Sequence, residues 1–425
     1  MGKGSAAPLF APGLLALCFS ATALGGQQPP QPTQLPGDVF VIKNTWYIGG
    51  AGPWHALTMD VSGQRLFIAH GSQVQAVDVT TGVLAGQLRG FQDANGIALD
   101  PGGELGYVSD ALANQVRFFN RRTFESLASV ATGPGPRALA FEPQTGLLFA
   151  ICTTPVAPQP DSPSQRTANR EVKTSISVID VAARRRIGEI LMPGHLGFAQ
   201  ADGNGMIYVL IADRNQVARL DAGAIASQLH AAPGAAATAD PVSASAPAAK
   251  EPDATTPAPV ILDWSHESRP TDSASAAMAV YGLGSACRAP LSLAVDGAHQ
   301  RVFAACDNMR LVVLNGGTGE VVTTLPIGPG AQAVGYDAGR GLIYTANGDA
   351  QGTLTIIRQD VTDTYNVIQN LPTRQRARTL AVDSDTGQIF LVTDYAGVNL
   401  AQPGGIGTLK SAAVSGSFQV LVVGH

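Results

Sequence analysis

The chain has 425 residues, of which 45% are hydrophobic and only 14% are charged, and it contains 48 glycines and 28 prolines. This composition is typical of β-structure with tight turns and argues against a helical bundle. A formal net charge of −5 argues against nucleic acid as a partner, since binding to phosphates needs an excess of basic residues.

The N-terminus has the pattern of a secretory signal. One basic residue, Lys3, precedes an apolar run over Leu14–Phe19, and Ala21–Ala23 fits a small-x-small cleavage site. The apolar run is too short to span a membrane. We therefore predict a signal peptide over residues 1–25, a flexible Pro/Gln-rich lead-in over residues 26–37, and a periplasmic or secreted mature chain with no membrane span.

The cysteines bear on both anchoring and redox state. Lipid attachment at Cys18 is the less favoured alternative, because Leu17 is larger than the residue that usually precedes a lipidated cysteine. Three further cysteines remain, Cys152, Cys287 and Cys306. An odd number in an exported chain predicts at most one disulfide and one free thiol.

A motif recurs seven times after the lead-in. Each copy starts with a short apolar run that ends on an acidic residue: Asp60, Asp100, Glu142, Asp202, Asp296, Asp337 and Asp383. Six or seven positions later comes an aromatic residue: Phe67, Tyr107, Phe149, Tyr208, Phe303, Tyr344 and Phe390. Between acid and aromatic lies a glycine: Gly63, Gly103, Gly146, Gly205, Gly297, Gly341 and Gly387.

We interpret the motif as a hairpin between two strands. The carboxylate can accept hydrogen bonds from backbone N–H groups of the turn, and the glycine supplies the positive φ that a short hairpin loop needs. The aromatic residue opens the second strand and packs between neighbouring sheets. A third strand follows in each copy and a fourth in most, as in Gln73–Val79 and Val83–Gly90. Four short strands per repeat predict a β-propeller blade.

The ends of the chain predict how the ring closes. The seventh copy lacks a fourth strand, whereas Asp38–Gly50 precedes the first copy and has no partner of its own. We predict that this N-terminal strand pairs with the last blade and closes an all-β, seven-bladed propeller over residues 38–425. Closure removes the exposed edges of an open array.

Two short sequence motifs resemble those of a known family. "IYTANG" (Ile343–Gly348) and "GYVSD" (Gly106–Asp110), with the spacing of acid, glycine and aromatic around them, resemble the YVTN-type repeat propellers of exported bacterial proteins. The resemblance covers about residues 38–425 and implies the propeller fold. Relatives of that family include lactonases and the propeller subunits of amine dehydrogenases, so the resemblance does not choose a function.

Three long connections interrupt the repeat. Residues 155–173 and 396–417 join strands two and three of blades three and seven, and residues 223–275 join strands three and four of blade four. The middle of the last insertion, His230–Pro259, has no aromatic residue and is predicted to be disordered, whereas Val260–Ser268 is predicted to fold back on the propeller. Blade topology places the first two connections on the face where each blade leads into the next, and the third on the opposite face.

Residues before each first strand, and at the end of each second strand, are predicted to surround the mouth of the central channel on the shared face. The candidate ligand-binding residues are Trp54, His55, His70, Asn95, Asp110, Arg137, His195, Gln332, Asn347, Arg376 and Arg378. Loops and strand ends of this kind carry function more often than the core does.

A metal site would use the three histidines of this set, His55, His70 and His195. We predict no metal and no other cofactor, because His195 lies three blades away and no HxH or CxxC spacing supports one. An anion site would use Arg137, Arg374, Arg376 and Arg378, because guanidinium groups bind carboxylates and phosphates well. The favoured alternative is that the arginines pair with Asp93, Asp110 or Asp394.

Cys287 precedes strand one of blade five and Cys306 ends strand two of the same blade. The two cysteines are therefore either within disulfide reach or ordinary buried thiols. The sequence contains no G-x-S-x-G elbow and no phosphate-binding or dinucleotide-binding glycine motif in a suitable context.

These observations favour a non-catalytic, extracytoplasmic scaffold that binds a small molecule or a partner protein on the loop face, with the chain expected to be a monomer. The alternative is a propeller enzyme of the lactonase or amine-dehydrogenase-like class that acts at the channel mouth.

Overall fold

A computed structural model of the chain describes residues 1–2, 39–50, 52–153, 174–231, 259–264, 277–361, 363–398, 411–413 and 416–425. Several predictions from the sequence fall outside these residues. They are the signal peptide beyond residue 2, Cys18, the lead-in over 26–37, the connection over 155–173, residues 232–258 of the predicted disordered segment, and most of the connection over 396–417.

The described chain forms seven blade sheets, six with four antiparallel strands and one with a fifth strand added at its outer edge, confirming the predicted seven-bladed propeller. The N-terminal strand is β1 (Val41–Tyr47). Blade one comprises β2 (Trp54–Asp60), β3 (Arg65–His70), β4 (Gln73–Asp78) and β5 (Leu84–Arg89). Blade two comprises β6 (Ala94–Leu99), β7 (Leu105–Asp110), β8 (Gln115–Asn120) and β9 (Ser126–Ala131). Blade three comprises β10 (Pro136–Glu142), β11 (Leu147–Thr153), β12 (Thr174–Asp180) and β13 (Arg185–Met192).

Blade four begins with β14 (Leu196–Ala201), β15 (Met206–Ile211), a 3-10 turn (Ala212–Arg214) and β16 (Gln216–Asp221). Helix α1 (Ala222–Ala231) and strand β17 (Val260–Asp263) come before its fourth strand, β18 (Met278–Gly282). Blade five comprises β19 (Pro290–Asp296), β20 (Arg301–Cys306), β21 (Arg310–Asn315) and β22 (Val321–Pro326). Blade six comprises β23 (Ala331–Asp337), β24 (Leu342–Asn347), β25 (Thr353–Val361) and β26 (Thr364–Pro372). Blade seven comprises β27 (Thr379–Asp383), β28 (Gln388–Thr393), a small hairpin of β29 (Ala396–Val398) and β30 (Ser411–Ala413), and β31 (Gln419–Gly424).

The first strand of each blade lies innermost. Each of these strands packs against the first strand of the next blade, and β27 of blade seven returns to β2 of blade one. Strand β1 pairs antiparallel with β31, so the chain closes as predicted. Trp46 of β1 packs on Phe390 with ring centroids 5.7 Å apart. The Gln369 side chain of blade six hydrogen-bonds both the N–H and the carbonyl of Phe40 at 2.8 Å, so two blades hold the N-terminal segment.

The acidic residues act as predicted in all seven hairpin turns. Each carboxylate accepts a hydrogen bond from at least one backbone N–H of its own turn. The N···O distance is 2.7 Å from Thr145 to Glu142 and 3.0 Å from Gly63 to Asp60. The repeated acid therefore fixes the turn that joins the first two strands of every blade.

The prediction that every motif glycine has a positive φ is wrong for three of the seven. A positive φ occurs in four of them: Gly146, Gly205, Gly341 and Gly387. It is absent from the other three: Gly63, Gly103 and Gly297. In blade one the left-handed residue is Gln64, with φ of 50°, and a Cβ added to Gly63 would lie 2.3 Å from Oδ2 of Asp60. There the glycine is needed for space beside the carboxylate rather than for its φ.

The seven aromatic residues of the motif are buried, and each lies in an apolar cluster that joins two consecutive blades. Phe67 of blade one packs with Val108 and Phe119 of blade two, and Phe390 of blade seven packs with Leu66 of blade one. The predicted packing between sheets is confirmed. The core is therefore a ring of seven interfaces rather than a single centre.

The insertion of blade four contains ordered elements as well. In α1, Leu229 packs so closely on β13 that a Cβ at Gly188 would lie 2.6 Å from it. Strand β17 adds to the outer edge of blade three in parallel with β13, and Trp264 after it is buried in the cluster between blades three and four. Val260–Trp264 thus folds back on the propeller as predicted. Within the described ranges no helix is long and apolar enough to cross a membrane.

The turn of blade seven offers a matched test of the acid. Asp383 is 3% exposed and accepts from Asp385 N at 3.0 Å and from Thr386 Oγ1 at 2.7 Å, whereas Asp385 is exposed. We expect D383A to lower the free energy of unfolding by about 2–3 kcal/mol, because the turn loses a buried, charged acceptor of two hydrogen bonds. D385A should change it by no more than about 0.5 kcal/mol. Urea unfolding measures both, and equal losses would contradict this role for the acid.

Candidate functional site

The innermost strands share an irregularity at the channel mouth. In six blades the pairing of the first strand with the second slips just after its first residue, as between Trp54 and Leu57 or between Pro136 and Ala138. Such bulges re-aim side chains at the rims of closed sheets. In blade seven, Arg378 follows the buried Ala377 and stands directly before β27. We call the seven residues at this place the mouth ring: His55, Asn95, Arg137, Gly197, Leu291, Gln332 and Arg378.

Trp54 lies beneath the ring rather than in it. The side chain is 2% exposed and packs on Phe418 at 5.4 Å between ring centroids. The guanidinium carbons of Arg376 and Arg378 stand 5.2 and 5.6 Å from the centre of its indole. Stacking on an aromatic face stabilises a cation and fixes its plane. Trp54 therefore positions two arginines and is not itself available to a ligand.

Charged side chains from several blades act on His55 at the mouth. Its Nε2 is 3.4 Å from Oδ1 of Asp93. Burial lowers the pKa of His55 below its ordinary value of 6.5, Asp93 opposes this, and the charges of Arg137 and Arg378 lower it further. Two guanidinium groups from different blades therefore act on one imidazole.

Arg137 and Arg378 stand apart from the ion pairs of the mouth. Within the described ranges no ion pair involves either guanidinium group. Arg137 is exposed and Arg378 is half-buried. Burial lowers the pKa of Arg378, and the charge of Arg376 lowers it further. The predicted pairing of the mouth arginines with acids therefore does not hold for these two.

Arg376 does pair as predicted. Its Nε lies 2.9 Å from Oδ1 of Asp394, whose side chain is 4% exposed. Burial raises the pKa of the Asp394 carboxyl, and the nearby arginines lower it. Arg376 has a φ of 69°, and its N–H donates to the carbonyl of Gly348 at 2.7 Å. The neighbouring Arg374 donates to the hydroxyl of Tyr395 and to Oε1 of Gln419.

His70 turns away from His55. Its Nδ1 is 2.8 Å from Oε1 of Gln75, its Nε2 is 3.1 Å from the carbonyl of Gly52, and its ring stacks on Phe418 at 4.0 Å. The two histidines of blade one thus have separate partners. In the parts of the chain that the structure describes, no group of three His, Cys, Asp or Glu residues could hold a metal ion.

Two other candidates at the ends of second strands are buried and occupied. Asp110 accepts from the backbone N–H of Asp93 at 2.9 Å, and Asn347 donates to the hydroxyls of Thr353 and Thr355 at 3.1 and 3.0 Å. Asp110 ties the second strand to the connection that enters its blade, and Asn347 ties it to the third strand. They support the mouth rather than line it.

The remaining candidate residues differ in their exposure and in their place relative to the mouth ring. Asn95 is 7% exposed and donates to Oδ2 of Asp93 at 3.3 Å, and Gln332 is exposed. The backbone N–H of His195 donates to Asp213 at 2.7 Å, and His195 precedes β14 rather than occupying the ring. Sequence reasoning missed the apolar members of the mouth, Leu291 and Phe198, which look like ordinary core residues in the printed sequence.

Both predicted states of the cysteines occur, a disulfide and a free thiol. Cys287 and Cys306 form a disulfide with Cα atoms 5.4 Å apart, while Cys152 is a buried free thiol. Burial raises the pKa of Cys152 to about 11. Because the thiolate is the reactive form, this thiol is unsuited to act as a nucleophile at neutral pH.

No protein-family model matches the chain, and no curated protein matches it in sequence. Solved structures match it in fold. A structure titled "Crystal structure of RRP9 WD40 repeats" has a TM-score of 0.59 at 10% identity, with 93% of this chain and 99% of that chain covered. "Structure of U3-55K" has 0.58 at 9%, covering 88% and 97%, and "Crystal Structure of Mitotic Checkpoint Complex" has 0.54 at 12%, covering 92% and 95%. At such identities the likeness shows the WD40-like propeller fold alone.

The geometry around His55 predicts how its pKa responds to substitution. D93N removes the charge that favours the imidazolium, so the pKa of His55 should fall, whereas R137Q removes a repelling charge and should raise it. NMR titration of the ring protons measures both, with the resonance assigned by its loss in H55Q. R122Q is the matched control, because Arg122 lies in an exposed turn between strands three and four, where it pairs with Glu104. Shifts in the same direction for D93N and R137Q would contradict the arrangement.

Proposed function

We propose that the protein is a binding scaffold that holds an anionic group at the channel mouth. One observation carries the proposal: in the mouth ring Arg378 stands next to His55 on one side and Arg137 stands beyond Asn95 on the other, and neither arginine forms an ion pair within the described chain. Guanidinium groups present a planar fork of donors that matches carboxylate and phosphate oxygens. An anion bound between them would be a partner for both side chains.

The frame suits such a site. The arginines stand at the ends of innermost strands that are packed on both sides by neighbouring blades, and Trp54 fixes the plane of one of them. Binding groups held on rigid elements lose little conformational entropy when a ligand arrives. The occupant is a small molecule or the acidic group of a partner protein.

We further propose that the chain is an exported monomer of the YVTN-type propeller class, acting in the periplasm or outside the cell. The signal-like residues 1–25 and the disulfide between Cys287 and Cys306 support this, because disulfides persist in oxidising compartments. The alternative of a lactonase or amine-dehydrogenase-like enzyme stays a prediction, which metal analysis and activity assays on the purified chain test.

If the chain is exported, the oxidation state of its cysteines can be predicted. In protein isolated from the periplasm or medium, alkylation under denaturing conditions should label only Cys152 among residues 38–425, and peptide mass mapping should find Cys287 and Cys306 linked. Reduction should then lower the free energy of unfolding by about 3 kcal/mol, as expected for a loop of this size, given the separation of 19 residues. Free Cys287 and Cys306 in the native isolate would contradict an oxidising location.

Anion binding is tested with citrate as the probe. R137Q and R378Q should each weaken citrate binding about tenfold or more, since a charged hydrogen bond contributes about 1.5–3 kcal/mol. R122Q, on the opposite face, should bind as the unaltered chain does. Isothermal titration calorimetry measures all three, with urea unfolding as a check that each variant folds. Equal affinities for R137Q, R378Q and R122Q would overturn the proposal.

A further inference from the structure

The mouth ring is divided into a polar and an apolar arc. From blade six through blade three, five consecutive blades contribute polar or charged residues: Gln332, Arg378, His55, Asn95 and Arg137. Blades four and five contribute Gly197 and Leu291, and Phe198 follows Gly197 on the same strand. The cationic residues of the ring therefore all lie on one side of the mouth.

The apolar arc is open to solvent. Phe198 is 39% exposed and Leu291 is 36% exposed, although both belong to the innermost strands β14 and β19. These strands form one edge of their sheets and pack against the first strands of the blades on either side. The two side chains therefore keep their exposure on strands whose neighbours cover them on both sides. Two apolar side chains exposed on adjacent blades offer a surface against which an apolar ligand group can be buried.

The channel wall below the ring is uncharged. Between the mouth-ring position and the acid of the hairpin, the seven first strands read ALTM, GIAL, ALAF, FAQA, SLAV, AVGY and TLAV. None of these residues carries a charge, and the acids that follow are engaged in their turns. A ligand that enters the channel past the arginines therefore meets only apolar and neutral groups.

We propose that the ligand is a small amphipathic anion, with its charged head between Arg137 and Arg378 and its apolar body against Phe198 and Leu291, extending into the channel. This rests on the proposed function and names the ligand class. A purely polar anion would leave the apolar arc in water, and a purely apolar ligand would leave both arginines without a partner. An amphipathic anion satisfies both arcs at once, through charge-assisted hydrogen bonds at one end and burial of apolar surface at the other.

The test compares octanoate, acetate and octylammonium by calorimetry on the full mature chain. We expect octanoate to bind at least tenfold more tightly than acetate, because its methylene groups add apolar burial, and octylammonium to bind at least tenfold more weakly than octanoate. F198S and L291S should each lower the ratio of octanoate to acetate affinity at least fivefold. V83S is the matched control, since Val83 is 62% exposed in a turn on the opposite face.

The outcomes separate this inference from the proposed function. If citrate and acetate depend on Arg137 and Arg378 but octanoate gains nothing over acetate, the amphipathic ligand is wrong and anion binding stands. If octylammonium binds as tightly as octanoate, the assignment of the head to the arginines is wrong. If F198S and L291S reduce the ratio no more than V83S does, the apolar arc is not part of the site. Failure of all three anions to bind would overturn the proposed function itself.

Discussion

The fold depends on the burial of every blade between two others. Each sheet has two apolar faces, so an open array would leave one face at each end in water. The seven motif aromatics fill the seven interfaces, and β1 completes blade seven by pairing with β31. The contacts of Trp46 with Phe390, and of Gln369 with Phe40, hold that closure from two blades. Closure, once made, fixes the innermost strands as a rigid ring.

This constraint determines where the sequence is free to vary. The acid, the glycine and the aromatic recur in each blade because the hairpin and the interface need them. The mouth-ring residue at the start of each first strand belongs neither to the hairpin turn nor to the apolar clusters between blades, and its identity differs from blade to blade, from Arg378 and His55 to Gly197 and Leu291. The differences are therefore concentrated at the mouth. A site built there uses the rigidity of the ring without disturbing its packing.

The fold was predictable because its signals are local and repeated. An acid and an aromatic at fixed spacing identify a hairpin without knowledge of its neighbours, and the unpaired strand at the N-terminus predicts the closure. Gly63 shows a limit, because the sequence does not tell a glycine that needs a positive φ from one that gives room to a carboxylate. The site was harder to predict. His70 and Asp110 stand at the same place in their blades as open rim residues would, yet the side chain of His70 binds Gln75 and packs on Phe418, and that of Asp110 accepts from the backbone of Asp93.

The apolar arc could not be predicted from the sequence for a related reason. Leu291 and Phe198 lie in strands whose other apolar residues are core, and only the ring geometry shows that these two are exposed to solvent.

The charges at the mouth bear on how an anion would bind. Asp394 neutralises Arg376, but burial and the neighbouring cation disfavour the charge of Arg378, and the imidazole of His55 is disfavoured as a cation by both unpaired arginines. The charges of Asp93 on His55, and of Asp394 and Asp349 on Arg378, offset this repulsion only in part. A bound anion would remove that unfavourable energy, and by linkage it would raise the pKa of His55 and make the mouth more cationic toward the ligand. Affinity for an anion should therefore increase as the pH falls through the pKa of His55, and the apolar arc adds to this affinity without depending on pH.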